Sequence, residues 1–121
     1  MKTIYLSGPM RDCTEKEIKQ WREYVKKQLP MFKFLDPAER GFNAPNAIKL
    51  DKTDIYNSDI ILTNCWKPSA GTSMEIMYAY TRNKIIITIA ENDISGWITE
   101  HSNATFSTIN KAINYIRRNF K

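Results

Sequence analysis

Two short runs constrain this chain more than anything else in it: Asp59-Ile60-Ile61-Leu62-Thr63-Asn64 and Lys84-Ile85-Ile86-Ile87-Thr88-Ile89. Both are rich in isoleucine and neither alternates polar with apolar, as expected of central strands buried on both faces of a sheet. Thr3–Ser7 predicts a first strand, ended by the turn Ser7-Gly8-Pro9, and Phe32–Leu35 a second, stopped by Asp36-Pro37. Helical patterns fill the gaps. Thr14-Glu15-Lys16-Glu17 is a capping box that opens a helix with Ile18, Trp21, Val25 and Leu29 on one face. Beyond a polar loop with Gly41 and Pro45, a helix is predicted from about Ala47 to Asn57. Another spans Thr72–Arg82, with Met74, Met77, Tyr78 and Thr81 at i, i+3, i+4 and i+7. A last one covers Ser107–Phe120, with Ile109, Ala112, Ile113, Ile116 and Phe120 on one face. Strands alternating with helices require an α/β fold, a parallel sheet covered on both sides. Ligands bind such folds beyond the carboxyl ends of the strands. Three segments are therefore expected at one rim: Gly8–Thr14, Cys65–Thr72 and the stretch near Ala90–Gly96.

Length and composition narrow the class. The 121 residues suit a single domain over 1–121, and 42% hydrophobic with 26% charged residues is ordinary for a globular protein. No apolar stretch approaches the roughly 20 residues of a membrane helix, and the N-terminus lacks a signal-peptide core. Cys13 and Cys65 lie in unlike contexts without metal or redox spacing, which predicts two free thiols in a reducing cytoplasm and no metal or other cofactor. The net charge of +5 favours anionic partners, yet the basic residues are scattered and no nucleic-acid-binding signature appears. Charge alone does not choose between nucleic acid and a small phosphate compound; with no binding signature and no membrane-length segment, neither nucleic acid nor membrane is expected as a partner.

Some residues resist a purely structural account. Gly71-Thr72-Ser73-Met74-Glu75 follows a buried strand and opens a helix, on the predicted rim. Thr72 and Glu75 have capping-box spacing, and on pattern alone that role has the edge. In the other reading, Glu75 stands in the helix's first turn, ionised by the helix dipole, and attacks a sugar carbon. Asp51 favours the second reading, because it falls on the same stripe as Ile48 and Ile55, where a carboxylate is costly unless paired or facing a cavity. Asp54 is assigned to the opposite, solvated flank, and Asp59 to a structural role at the amino end of its strand. Tyr5 is either core or a hydroxyl reaching the rim to hold a carboxylate. Ser7, Arg11 and Ser69 are rim donors; Arg11 with Ser69 suits an anion such as phosphate. The single histidine, His101, is expected at the surface or an interface.

These residues, taken in order, resemble the nucleoside 2-deoxyribosyltransferases and their nucleotide N-hydrolase relatives. The resemblance rests on Ile4-Tyr5-Leu6-Ser7-Gly8-Pro9-Met10-Arg11, on Asp51 ahead of Ser58-Asp59-Ile60-Ile61, and on Pro68-Ser69-Ala70-Gly71-Thr72-Ser73-Met74-Glu75-Ile76-Met77-Tyr78-Ala79 before Lys84-Ile85-Ile86. It implies a flavodoxin-like three-layer fold with a five-stranded parallel sheet. It makes Glu75 the nucleophile at C1′, Tyr5 its orienting partner and Asp51 the acid that contacts the base and assists its departure. Ser7, Gly8, Arg11, Ser69 and Gly71 become substrate-binding residues. Ser69 stands where nucleoside-using transferases tend to carry aspartate, and Arg11 matches the phosphate-loop arginine of the hydrolases. Both favour a nucleoside 5′-monophosphate and release to water, with transfer to a second base as the alternative. Asp12-Cys13-Thr14 departs from the glycine-richer loop of the hydrolases. The resemblance also implies a homodimer or larger homo-oligomer with shared sites, for which Ser95, Ser102 and Asn103 are candidates. Base preference would depend on the loops around Phe42–Ile48 and Trp66. Two rival enzymes have comparable glutamates: a cytokinin-activating phosphoribohydrolase, which needs Pro-Gly-Gly where this chain has Lys67-Pro68-Ser69-Ala70, and an NAD-cleaving enzyme. A non-catalytic nucleotide sensor is the alternative outside catalysis.

Overall fold

The computed structural model describes residues 1–41, 43–92 and 94–120. The element order is β1 (Thr3–Ser7), α1 (Glu15–Gln28), β2 (Lys33–Leu35), a 3₁₀ turn (Pro37–Glu39), α2 (Ala47–Tyr56), β3 (Ile60–Asn64), α3 (Ala70–Thr81), β4 (Ile85–Ile89), α4 (Gly96–Glu100), β5 (Ala104–Phe106) and α5 (Ile109–Asn119). All five strands are parallel, in the order β2-β1-β3-β4-β5. This is the flavodoxin-like doubly wound arrangement, whose strand order reverses between β1 and β3.

Side-chain alternation along β1 decides which layer each residue serves. Ile4 and Leu6 pack with Trp21, Val25, Ile113 and Ile116 on the α1/α5 side, whereas Tyr5 joins Ile55, Ile61, Ile76, Ala79 and Ile86 on the α2/α3 side. Every residue of β3 is buried, as its unbroken apolar run requires. Register sets Tyr5 beside Ile61 and Ser7 beside Thr63. The carboxyl ends of β1 and β3 thus reach the same rim.

Local chemistry explains the helix starts. Thr14 and Glu17 complete the capping box of α1. At α3 the sequence reading needs correction. The helix begins at Ala70, and Ser69 is its cap, with its hydroxyl accepting from the Thr72 amide at 3.2 Å. Thr72 and Glu75 form no capping box. Glu75 accordingly lies in the second turn. The Met74, Met77, Tyr78 and Thr81 stripe is also not the buried face of α3, because Thr72, Ile76 and Ala79 are, and Met74 is 71% exposed.

The residue patterns assign neither α4 nor β5. Ser95 caps α4, Ser102 bonds Thr88 and the Ile98 carbonyl, and Asn103 accepts from the Ile86 amide, so all three candidates for a shared site also have local partners. Asp59 accepts from the Thr3 amide at 2.8 Å, as a structural residue should. Cys13 and Cys65 are both free. His101 is packed edge-on to Tyr80 and stacked with Trp97. No helix among the described residues is long and apolar enough to cross a membrane.

Candidate active site

Glu75 reaches from α3 to β1, where two successive residues of one strand face meet it. Tyr5 Oη donates to Glu75 Oε2 at 2.6 Å, and Ser7 Oγ donates to Oε1 at 2.7 Å. Both oxygens of the carboxyl are therefore held by hydroxyls of two fully buried residues. The period-two geometry of β1 makes this pairing possible. Ser7, expected as a rim donor, donates here to the carboxyl of Glu75.

Burial raises the Glu75 carboxyl to about 7, opposed by the hydrogen bonds from Tyr5 and Ser7 and reinforced by the charge of Asp51. The first-turn position expected for Glu75 is corrected: the group sits one turn deeper, where loss of water favours the protonated form. The Tyr5 hydroxyl is pushed well above its usual range by burial and then by Glu75, so it remains a donor.

Around Glu75 lies a cavity of about 640 Å³, within the range of small-molecule sites. It collects Gly8, Arg11, Arg40, Asp51, Ser69 and Gly71, together with Asp12 and Lys67. Thr72 lines the same wall with a buried hydroxyl oxygen that has no hydrogen-bond partner among the described residues. A second hollow of about 540 Å³ opens along the outer side of α2 and α3, lined by Ile55, Met74, Met77 and Tyr78, and it shares Ile48, Asp51, Gly71 and Glu75 with the first. Asp51 thus does face a cavity, as its place on the stripe required. Ile48, however, is 75% exposed and belongs to the cavity lip.

Two features escape the sequence reading. Arg22, buried completely, donates to the carbonyls of Leu6, Gly8 and Ile18 and to Asp36 at 3.1 Å. It ties the end of β1 to the end of β2, and Lys26 completes the charge balance on Asp36 at 2.7 Å. The other is Arg40, which forks between Asp51 and Asp54. Asp54 is therefore paired and not freely solvated. For Arg22 the available signal was a charged residue on the apolar stripe of α1, four positions after Ile18 and three before Val25.

Gly8 is tight for packing reasons: a Cβ there would lie 2.8 Å from Trp21 Cζ2. Trp66 lines a different cleft, with Trp21 and Tyr24 between α1 and α5, and not the cavity of Glu75. Phe42 lies outside the described residues. Among the described residues, no group of three or more His, Cys, Asp and Glu side chains is placed to hold a metal ion.

A doubly wound parallel sheet with a hydroxyl-held carboxyl at its switch-point rim defines a class of α/β protein with a small-molecule site. No protein-family model matches the sequence, and no curated protein matches it either. Solved structures do. A 2-deoxyribosyltransferase from Bacillus psychrosaccharolyticus superposes with TM-score 0.77 at 23% identity, covering 93% of this chain and 91% of that one. A CMP N-glycosidase from Clostridium botulinum gives 0.70 at 19% identity, covering 98% and 100%. A conserved protein from Enterococcus faecalis gives 0.77 at 15%, covering 99% of each chain. At these identities the likeness establishes a shared fold.

Proposed function

We propose that this chain is an N-glycosidase of the nucleoside 2-deoxyribosyltransferase kind, cleaving the base from (deoxy)nucleoside 5′-monophosphates with Glu75 as nucleophile. The observation that carries the reading is the carboxyl of Glu75, gripped on both oxygens by Tyr5 and Ser7 at a cavity of about 640 Å³. A carboxylate so oriented stabilises an oxocarbenium-like sugar and then bonds C1′ as a glycosyl ester. Asp51, in the same cavity, assists the base, which leaves readily only when it gains a proton. The Asp51 carboxyl is raised, chiefly by burial, which suits that task.

The 5′-phosphate belongs, in this reading, at the start of α3. The first amides of a helix are free to donate to an anion. Ser69, Gly71 and Thr72 belong to that start of α3, and they line the cavity together with Arg11. Water then hydrolyses the ester. Transfer to a second base is the other outcome, and the fold shared with a 2-deoxyribosyltransferase supports keeping it in view. A neighbouring copy closing the open side of the cavity, over the exposed Ile48 and Met74, belongs to the same proposal.

Productive chemistry requires an ionised Glu75 and a proton on Asp51, so the two carboxyls act as a singly protonated pair and the rate should be bell-shaped in pH. The test is to incubate the protein with each deoxynucleoside monophosphate, with and without an acceptor base, and separate the products by chromatography. Free base with sugar phosphate is expected, and Glu75→Ala should reduce its formation by about 10³-fold or more while the circular dichroism is unchanged. A new nucleotide would establish transfer. No base released from any substrate would sink the reading, and an active Glu75→Ala variant would remove Glu75 as nucleophile.

A further inference from the structure

Arg40 and Asp51 line the cavity of Glu75, and Arg40 joins Asp51 to a second acid, Asp54, behind it. Arg40, which follows the 3₁₀ turn after β2, spreads its guanidinium along α2: Nη1 donates to Asp54 Oδ2 at 2.6 Å, and Nη2 donates to Asp51 Oδ1. All three side chains are largely buried, with exposures of 25% for Arg40, 18% for Asp51 and 20% for Asp54. Arg40 and Asp51 line the cavity with Glu75, whereas Asp54 stands behind them and does not. One cation thus faces two acids. The trio is neutral when one acid holds a proton, and carries a surplus negative charge when neither does.

We propose that Asp54 is a positioning residue of this site: by occupying one arm of Arg40, it leaves Asp51, on the other arm, able to carry the proton that a departing base takes. The inference rests on the role of Asp51 in the proposed hydrolysis. If Arg40 had Asp51 as its sole partner, protonating Asp51 would strand a partly buried guanidinium, so Arg40 would hold Asp51 ionised. With Asp54 in place, Arg40 stays paired whichever state Asp51 adopts.

The charged and titratable groups facing Asp51 come from five elements: Arg40 beside the turn, Asp54 on its own helix, Glu75 from α3, Tyr5 from β1 and Arg22 from α1. Burial raises the Asp51 carboxyl most, the charge of Asp54 adds to this, and Arg40 opposes both. The step balances. As the C1′–N bond breaks, its electron pair goes to the base nitrogen, the Asp51 proton passes to a ring nitrogen of the base, and a Glu75 oxygen bonds C1′. Asp51 ends as the carboxylate, already hydrogen-bonded to Arg40.

The test uses the full chain and leaving groups that differ in their need for a proton. 2′-Deoxyguanosine 5′-monophosphate is paired with its N7-methyl form, whose base is already cationic, and 2′-deoxyuridine 5′-monophosphate with its 5-nitro form, whose base leaves as a stable anion. Whichever pair the wild type turns over is used. Asp54→Asn is expected to lower kcat on the natural nucleotide about tenfold or more and on the activated one less than about threefold. The acid limb of the natural nucleotide's pH profile should also move to lower pH, because Asp51 then ionises more readily. Asp54→Glu, which keeps the charge, should retain the parent profile. Equal losses on both substrates, an unmoved profile, or a Glu variant that behaves like the Asn variant would overturn the proposal while leaving the hydrolase reading intact. A wild type that releases no base from any of the four nucleotides overturns the proposal, and one that releases none from any deoxynucleoside monophosphate overturns the hydrolase reading as well.

Discussion

A carboxyl taken out of water prefers its proton, and Glu75 shows what that preference does to the fold. Its ionisation moves from an ordinary value of 4.5 to about 7 on burial. Between those values the native state binds a proton that the unfolded chain has released, so stability falls as pH rises from about 4.5 to about 7 and remains lower above. A shift of that size corresponds to about 3 kcal/mol. Glu75→Gln removes the ionisation and keeps the shape, so its melting temperature should exceed the parent's at pH 8 and match it near pH 4. A Gln variant no more stable than the parent at pH 8 would show that the carboxyl keeps its water. In the proposed mechanism the site destabilises the molecule in the form that acts as nucleophile, a trade-off common to catalytic groups.

At the scale of elements, the loop after β1 and the first turn of α3 carry glycines for opposite reasons. Gly8 lies against Trp21 and Arg22, where a Cβ would come within 2.8 Å and 3.3 Å of their side chains. Gly71 has nothing within 4 Å of such a Cβ. Gly8→Ala should therefore cost about 1–3 kcal/mol in urea unfolding by overpacking. Gly71→Ala should stay within about 0.5 kcal/mol, yet weaken nucleotide binding by filling the cavity wall. A Gly71 variant with unchanged affinity would remove that residue from the binding site. The same contrast explains what was legible in the sequence. β1, β3, β4 and α5 announce themselves because burial on a whole strand or a helix face leaves a periodic trace over many residues. β5 is three residues long at a sheet edge and only partly covered, and α4 is five residues long, so neither leaves a period to read. The start of α3 was misplaced because Ser69-x-x-Thr72 and Thr72-x-x-Glu75 both offer a capping hydroxyl, and only the tertiary pull of Tyr5 and Ser7 on Glu75 decides between them. Asp51 could be singled out as a carboxylate on an apolar stripe. Arg40 could not, because its importance lies in two partners 11 and 14 residues away.

For the whole molecule, the decisive fact is that cavity and charge sit together at the carboxyl rim of a sheet whose strand order reverses there. Arg11, Arg40 and Lys67 line the cavity of a chain with net charge +5. A nucleoside 5′-monophosphate should therefore raise the melting temperature more than the same nucleoside, and the difference should shrink as salt is added. At a ligand concentration 100 times its dissociation constant the expected gain is about 2.7 kcal/mol. Equal shifts for nucleotide and nucleoside, independent of salt, would place the phosphate outside the cavity and return the choice to nucleoside substrates.

The grip of Tyr5 on Glu75 spans 70 positions of the chain. Neither residue is near the other until β1 has paired with β3 and α3 has docked across both. A copy that is nicked, stalled in synthesis or half-unfolded carries the same glutamate as a loose, water-covered acid with no oriented reactivity. Under the proposed hydrolysis, damaged copies would be silent instead of indiscriminate: the long-range handshake would work as an interlock, arming the glutamate only in molecules that have finished folding.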